Sequence, residues 1–510
     1  DLVECHATGT PVGDAVEFES LRTLWGDLPG GVEAGRCALG SVKSNVGHAL
    51  TAAGAAGLLK VLLSFRHKTL PPIANHRSPS AKVALEGSPF RILRASEPWP
   101  STPGRPRRAA ISGFGFGGIN AHLLIEEWTG GTVDAADPAP GPSRSSVAVV
   151  GLAARWGRDA EPRAFAHRVL GGTASPTPAD AWLDELRIRL GRFRIPPREL
   201  EEMLLQQSLT LQVTADAIAD AKWSPDVALR SSVLVGLNLD LNTTNFQLRW
   251  WLAERAPTWN AERGWGLSDE ELQAWVAEAC DAIQPALTAN RTMGSLGGLV
   301  ASRIAREFGI GGSSFTVSSD ERSGLDALDV AADWLERGEI DAAVVAAVDL
   351  ASDPRLHLAA SRLTAKGDLK PGDCAIALVL KRLADAERDG DRVYAVLGED
   401  EGSALRIDEP DSRIGWTGAA AGLARVATAA LAIRSAIVPP NSRWVRSDVH
   451  VGSPNYWIVD RNEGSRTAEA LVSGLDGSHP RRAMLKAIPG QVADDPRPLG
   501  TAPIAVFPVF

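Results

Sequence analysis

A chain of 510 residues exceeds one ordinary compact domain, so its length implies two or three folding units, each large enough to bury a core. Its 53 Lys and Arg against 62 Asp and Glu leave a net charge of -9, and no segment concentrates the basic residues; this excludes the electrostatic footprint of a nucleic-acid binder. The apolar run Leu58 to Phe65 is broken by Lys60, so nothing reads as a membrane span, and Cys5, Cys37, Cys280 and Cys374 lack the spacing of a zinc site or a disulfide framework. A cytoplasmic location is the expectation. The chain opens at Asp1 without a leader and is expected to be a piece of a longer polypeptide that begins mid-domain.

In chain order, Val3 to Glu17 reads VECHATGTPVGDAVE, a short apolar strand followed by a turn. His6 stands at the strand end, where a side chain can face a pocket. Ser41 to Val61 reads SVKSNVGHALTAAGAAGLLKV, in which His48 precedes a small-residue run that lets a helix pack closely behind its loop. Ile111 to Glu127 reads ISGFGFGGINAHLLIEE; it lacks the Lys-Ser/Thr of a phosphate loop and runs into a strand instead of a helix, so it is no nucleotide signal. Cys5 adjoins His6, but neighbours on a strand point to opposite faces, which makes Cys5 a packing residue. Thr129 to Ser146, rich in Pro, Ala, Gly and Ser, reads as an interdomain linker. After it come strand patterns at Val147 to Leu152, Ser232 to Leu237, Ser314 to Val317 and Asp341 to Val348. These alternate with helical patterns at Leu200 to Ala221, Gly297 to Phe308 and Gly324 to Arg337, which predicts a mixed or parallel sheet covered by helices. Ile504 to Phe510 is a further strand-like run.

The three long motifs, in this order, resemble the C-terminal signatures of β-ketoacyl synthases; Ala7 stands where most members have Gly. The resemblance implies a thiolase-like, layered αβαβα fold and decarboxylative Claisen condensation of acyl and malonyl thioesters. It implies that His6 and His48 are oxyanion donors and that Lys43 assists their electrostatics. Thr8, Thr10, Asn45, Phe114 and Phe116 would line the substrate site, while Asn120 and His122 read as structural. The family's cysteine nucleophile lies well ahead of the His6 motif, so this piece is expected to lack it.

The second unit resembles a shortened copy with its chemistry removed. GSSFTVSSDERSGLDALDVA at Gly312 to Ala331 aligns with the family's nucleophile segment, and Glu321 falls on the cysteine. SRIGWTGAAAGLARV at Ser412 to Val426 parallels the His48 segment, with Trp416 on the histidine; no counterpart of the His6 segment is found. Such a lobe resembles a chain length factor, the inactive partner of a ketosynthase. The expected organisation is a ketosynthase C-terminal half at 1–128, a linker at 129–146, and a chain length factor-like domain at 147–490. A linker and the start of an acyltransferase domain would follow at 491–510. The order resembles bacterial polyunsaturated fatty acid synthases. No cofactor is expected to bind directly; substrates would arrive on the phosphopantetheine of an acyl carrier protein. The expected partners are that carrier, an upstream ketosynthase half, and the two lobes themselves as a pair. Two other readings stay open: a modular polyketide synthase with a decayed second ketosynthase, or a scaffold or carrier-docking module without turnover.

Overall fold

The computed structural model describes residues 1–26, 33–80, 82–101, 104–115, 120–130, 146–158, 164–170, 178–223, 225–238, 241–363, 369–398, 405–407, 411–435, 443–444, 467–472 and 481–486. The chain divides into two compact units, residues 1–139 and 140–510. Most of the expected linker and all of the run at Ile504 lie outside the described residues.

The first unit contains β1 (Leu2–Glu4), β2 (Cys37–Gly40), β3 (Thr69–Leu70), β4 (Phe90–Ile92), β5 (Glu97–Pro98), β6 (Arg108–Phe114) and β7 (Asn120–Glu126). Its main sheet has the order β4-β2-β1-β6-β7, parallel except for the β6–β7 pair, while β3 and β5 form a small antiparallel ribbon. Strand alternation sorts the side chains into two cores. Leu2, Ala38, Ala109 and Ile111 pack with Val61 and Phe65 of the Ala53–His67 helix. Val3, Cys5, Leu39 and Ala110 pack with Phe18 and Leu21 of the Gly13–Gly26 helix. The result is helix, sheet, helix.

The second unit contains β8 (Val147–Trp156), β9 (Ser231–Leu237), β10 (Ser314–Val317), β11 (Ala342–Leu350), β12 (Asp373–Arg382), β13 (Ala395–Gly398), β14 (Leu405–Ile407), β15 (Arg443–Trp444), β16 (Thr467–Val472) and β17 (Arg481–Lys486). They form one sheet in the order β10-β9-β11-β12-β8-β13-β17-β16-β14-β15. Here too the strands alternate. Val345, Ala347, Ile376 and Leu378 face the Ser323–Glu336 and Ala421–Ser435 helices. Val344, Ala346, Ala375 and Ala377 face the Leu205–Asp220 and Leu299–Phe308 helices. The helical pattern at Leu200 to Ala221 is divided in two: Pro197–Glu201 and Leu205–Asp220 are separate helices, because the Leu204 N–H leaves the helix to bond Gly294 O at 2.8 Å while Met203 and Leu204 bury. Between β9 and β10 a helical hairpin, Leu241–Arg263 and Asp269–Ile283, begins its second arm with a Ser268–Glu271 capping box. Trp251, Trp259, Trp265 and Trp275 follow one another along it in edge-to-face and tilted contacts, with centroids 5.2, 6.5 and 5.2 Å apart. Trp250 and Trp251 are exposed, so core packing alone does not account for these tryptophans.

Candidate active site

In the first unit the parallel strands place three segments at one end of the sheet: His6 follows β1, Lys43 to His48 follow β2, and Phe114 closes β6. Since β2 and β6 flank β1 on opposite sides, the chain leaves β1 at a topological switch point, where open parallel sheets bind ligands. The turn after His6 is held by a residue that no motif marks as functional. Buried Glu17, from the Gly13–Gly26 helix, accepts the N–H groups of His6 and Ala7, each at 2.8 Å. Ala7 needs that support because its φ of 23° lies in the left-handed region, where Gly is the easier occupant.

Both imidazoles are fixed in the same tautomer. Phe114 N–H donates to His6 Nδ1 at 3.2 Å, and Leu50 N–H donates to His48 Nδ1 at 3.0 Å. A ring nitrogen that accepts carries no proton, so each neutral ring must hold its proton on Nε2. The rings stand 5.6 Å apart, edge to face, and Phe114 packs on His6 at 5.5 Å. Burial pushes the His6 pKa below its ordinary value, and the nearby Lys43 charge and His48 push it further, which keeps the ring neutral and donating.

Lys43 is half-buried; burial pushes its pKa down and the charges of Glu4 and Glu17 oppose that shift. Glu4 is buried, pairs with Lys60 at 2.7 Å and accepts the Val42 N–H, thereby tying the Lys43 loop to the Ala53–His67 helix. Thr8 lines a cavity of about 490 Å³ together with Lys43, His48, Glu17 and Asn75. Thr10 turns to the start of the Gly13–Gly26 helix, its hydroxyl accepting Gly13 N–H at 3.2 Å, and Asn45 is exposed with its Oδ1 accepting from Ser44 Oγ at 3.3 Å. Phe116 lies outside the described residues. Cys5 is buried among Val3, Phe18 and Leu21, with its thiol pushed well up by burial; it reaches the floor of the cavity, which His6 does not line. His122 Nδ1 meets Ser112 Oγ at 3.1 Å across the β6–β7 pair, and Asn120 begins β7.

The second unit repeats the loop with other residues. Gly47 and Gly415 have φ of 76° and 73°, Leu50 and Gly418 have 48° and 50°, and a three-residue 3-10 turn leads into a 15-residue helix in each. Trp416, at the place of His48, donates its indole N–H to Glu321 Oε1 at 3.0 Å. Both are buried, and Trp416 packs on Ala351, Leu356 and Ala360. Glu321 stands two residues ahead of the Ser323–Glu336 helix. Behind this pair lies fully buried Asp349, whose carboxyl burial pushes up to about 7 although it accepts the Ala419 and Leu350 N–H groups.

Residues 1–77 match the family described as Beta-ketoacyl synthase, C-terminal domain, and residues 187–376 match Beta-ketoacyl synthase, N-terminal domain. The chain belongs to the β-ketoacyl synthase family. It is 31% identical over 493 residues to a polyunsaturated fatty acid synthase polypeptide of Thraustochytrium sp., covering 86% of this chain and 23% of that protein. It is 46% identical over 126 residues to polyketide synthase PksL of Bacillus subtilis, covering 25% of this chain and 3% of that one. The chain therefore spans less than a quarter of the length of these relatives. The solved structure titled PfaC Keto synthase-Chain length factor superposes with a TM-score of 0.71 at 22% identity, over 97% of this chain and 58% of that one, so the thiolase-like layered α/β fold is shared. No described helix is long and apolar enough to cross a membrane.

Proposed function

We propose that the first unit is the histidine-bearing half of a ketosynthase within a multidomain, cytoplasmic fatty acid or polyketide synthase. The observation that carries this reading is the pair of imidazoles, each with Nδ1 filled by a backbone N–H and each left with an Nε2 proton to donate. In decarboxylative condensation, negative charge gathers on the malonyl thioester oxygen as carbon dioxide leaves. Two preorganised donors aimed at that oxygen lower the barrier by about 2.7–4 kcal/mol each on the scale of known oxyanion donors. Burial, aided by the Lys43 charge, favours neutral His6, and Phe114 both orients and packs it. Thr8 would line the arm of a phosphopantetheine-borne substrate delivered by an acyl carrier protein. Cys5, packed and with a raised pKa, is unsuited to attack a thioester. The acyl group would instead sit on a cysteine of an N-terminal half.

The second unit would serve as a chain length factor-like lobe. A carboxylate at Glu321 cannot replace a thiolate, and Trp416 fills the histidine's place and donates to Glu321 instead of to a substrate. In a longer polypeptide that includes an N-terminal synthase half, His6→Ala or His48→Ala should each lower condensation of malonyl-carrier protein with an acyl primer by at least about a hundredfold. Near-full activity in either variant would remove that histidine from the mechanism. Glu321→Ala should leave turnover in place; if condensation stops while the fold is kept, the inactive-lobe reading fails.

A further inference from the structure

Lys43 is half-buried, yet its ammonium makes neither a hydrogen bond nor an ion pair among the described residues, because the two carboxylates that act on it are engaged elsewhere. Glu17 accepts the His6 and Ala7 N–H groups. Glu4 accepts the Val42 N–H with one oxygen and Lys60 Nζ, at 2.7 Å, with the other. Two glycines make room for that second contact. A β-carbon on Gly40 would come within 2.9 Å of Lys60 Nζ and 3.0 Å of Glu4 Oε2, and one on Gly57 within 3.2 Å of Glu4 Cγ. The charged ends therefore meet in a slot between β2 and the Ala53–His67 helix, with side chains only 12% and 2% exposed for Lys60 and Glu4.

Strand alternation puts this pair and the cavity on opposite faces of the sheet. Glu4 shares the face of Leu2, against the Ala53–His67 helix, whereas Lys43 lines the cavity with Cys5 and Phe18 on the other face. The second unit supplies an internal comparison. With Trp416 on His48, Asp411 stands on Lys43 and Thr428 on Lys60, and Thr428 Oγ bonds back to Ala424 O at 2.7 Å within its own helix. Both lysines are absent from the copy that lacks both imidazoles. We propose that Lys60 is a positioning residue for the imidazole site: by neutralising Glu4 on the far face of the sheet it keeps Lys43 from pairing with that carboxylate, so the Lys43 charge stays at the cavity and acts on His6. This deepens, and rests on, the reading of the first unit as the histidine-bearing half of a ketosynthase.

The charges around Lys43 fix the direction of the effect. Burial pushes its pKa down, Glu4, Glu17 and Cys5 push it up, and Lys60 pushes it down. The remaining titratable groups on the cavity wall are Asp14, His48 and His76. Removing the Lys60 charge leaves a buried carboxylate without its counter-ion, and Lys43 is a cation within its field that can answer it. Both consequences, a lost repulsion and an unmasked attraction, hold the proton on Lys43 more tightly. They also draw the ammonium towards Glu4 and weaken its hold on the His6 ring, which that charge helps to keep neutral.

The test is an NMR titration of this chain carrying carbon-13 lysine, with the Lys43 Cε resonance assigned by its loss in Lys43→Arg. Lys60→Met should lower the acid dissociation constant of Lys43 at least about threefold, the scale of one partly screened charge about 10 Å away, and should move the His6 ring titration to higher pH. Lys60→Arg, which keeps the charge, should restore both. In a Glu4→Gln background Lys60→Met should move Lys43 much less, since the effect runs through Glu4. A folded Lys60→Met in which Lys43 and His6 titrate as in the wild type would overturn the inference. So would a Lys60→Arg that shifts Lys43 as far as methionine does, or an equal shift in the Glu4→Gln background. Where Lys60→Met does not fold, Glu4→Gln alone decides: it should raise the acid dissociation constant of Lys43, and an unmoved Lys43 overturns the inference. None of these readouts involves turnover, so the condensation assays of the histidine variants test the ketosynthase reading separately.

Discussion

Glu17→Ala tests the link between the first helix and the His6 turn. The substitution removes both carboxylate oxygens that accept the His6 and Ala7 N–H groups at 2.8 Å and leaves two amides without a partner. A hydrogen bond to an ionised group contributes about 1.5–3 kcal/mol, and relief of burying the carboxylate offsets part of the loss, so the net cost should be about 2–4 kcal/mol. For a unit of this size that is a fall of about 10 °C in melting temperature. Ala7, held at φ 23° by those bonds, should relax, and His6 Nδ1 should lose the Phe114 N–H. Nitrogen-15 shifts of the His6 ring report that change, and thermal unfolding of the first unit reports the stability. Burial raises the folded Glu17 pKa above the ordinary carboxyl value, with the two backbone bonds opposing. A raised carboxyl stabilises most below the unfolded pKa and loses that contribution as pH climbs through the folded value. The deficit of Glu17→Ala should therefore be largest in acid and narrow towards neutrality. A variant melting within about 2 °C of the wild type with unchanged ring shifts would refute the reasoning.

Lys43→Met should raise the His6 pKa towards 6.5, since the Lys43 charge is one of the causes depressing it; an NMR titration of the His6 ring that does not move would separate the two residues. Asp349, raised from 3.8 to about 7, withdraws stability from the second unit as pH rises across that window, so Asp349→Asn should flatten the pH dependence of its unfolding by a few kcal/mol. An unchanged slope in denaturant titrations from pH 4 to 7 would exclude Asp349 as its source. Trp416→Phe deletes the N–H donated to Glu321 and should destabilise the second unit by about 1–3 kcal/mol, measured by calorimetry; a neutral result would show that the pair does not hold the loop.

Legibility in the sequence depends on whether a signal is local. The strand expected at Ser314 to Val317 appears with those bounds, because an apolar β-branched segment between Gly-Ser and Ser-Asp turns reports its own conformation. His6 and His48 are marked by their motifs, and the geometry brings their rings to 5.6 Å. Glu17 lies within a motif yet carries no signal of its own, since its role arises only when the helix folds back on the turn after β1. Asp349 gives no signal either: a single acid at the end of an apolar run becomes notable only when Ala419, distant in sequence, donates to it. The break at Met203 and Leu204 is likewise set by Gly294, which helical periodicity over Leu200 to Ala221 cannot register.

Strand β7 has a practical consequence. It closes one side of the first unit's sheet, pairs only with β6 among the described residues, and leaves Leu123 and Leu124 exposed, with no Lys or Pro along its length. Its outer row of amides and carbonyls is a ready template for another strand, the surface through which soluble proteins begin to aggregate. Purification of residues 1–139 alone would therefore be governed by edge-to-edge stacking before any question of activity arose. A charged residue at Leu124, pointing outward from a strand already paired on its other side, is the economical way to keep such a preparation in solution.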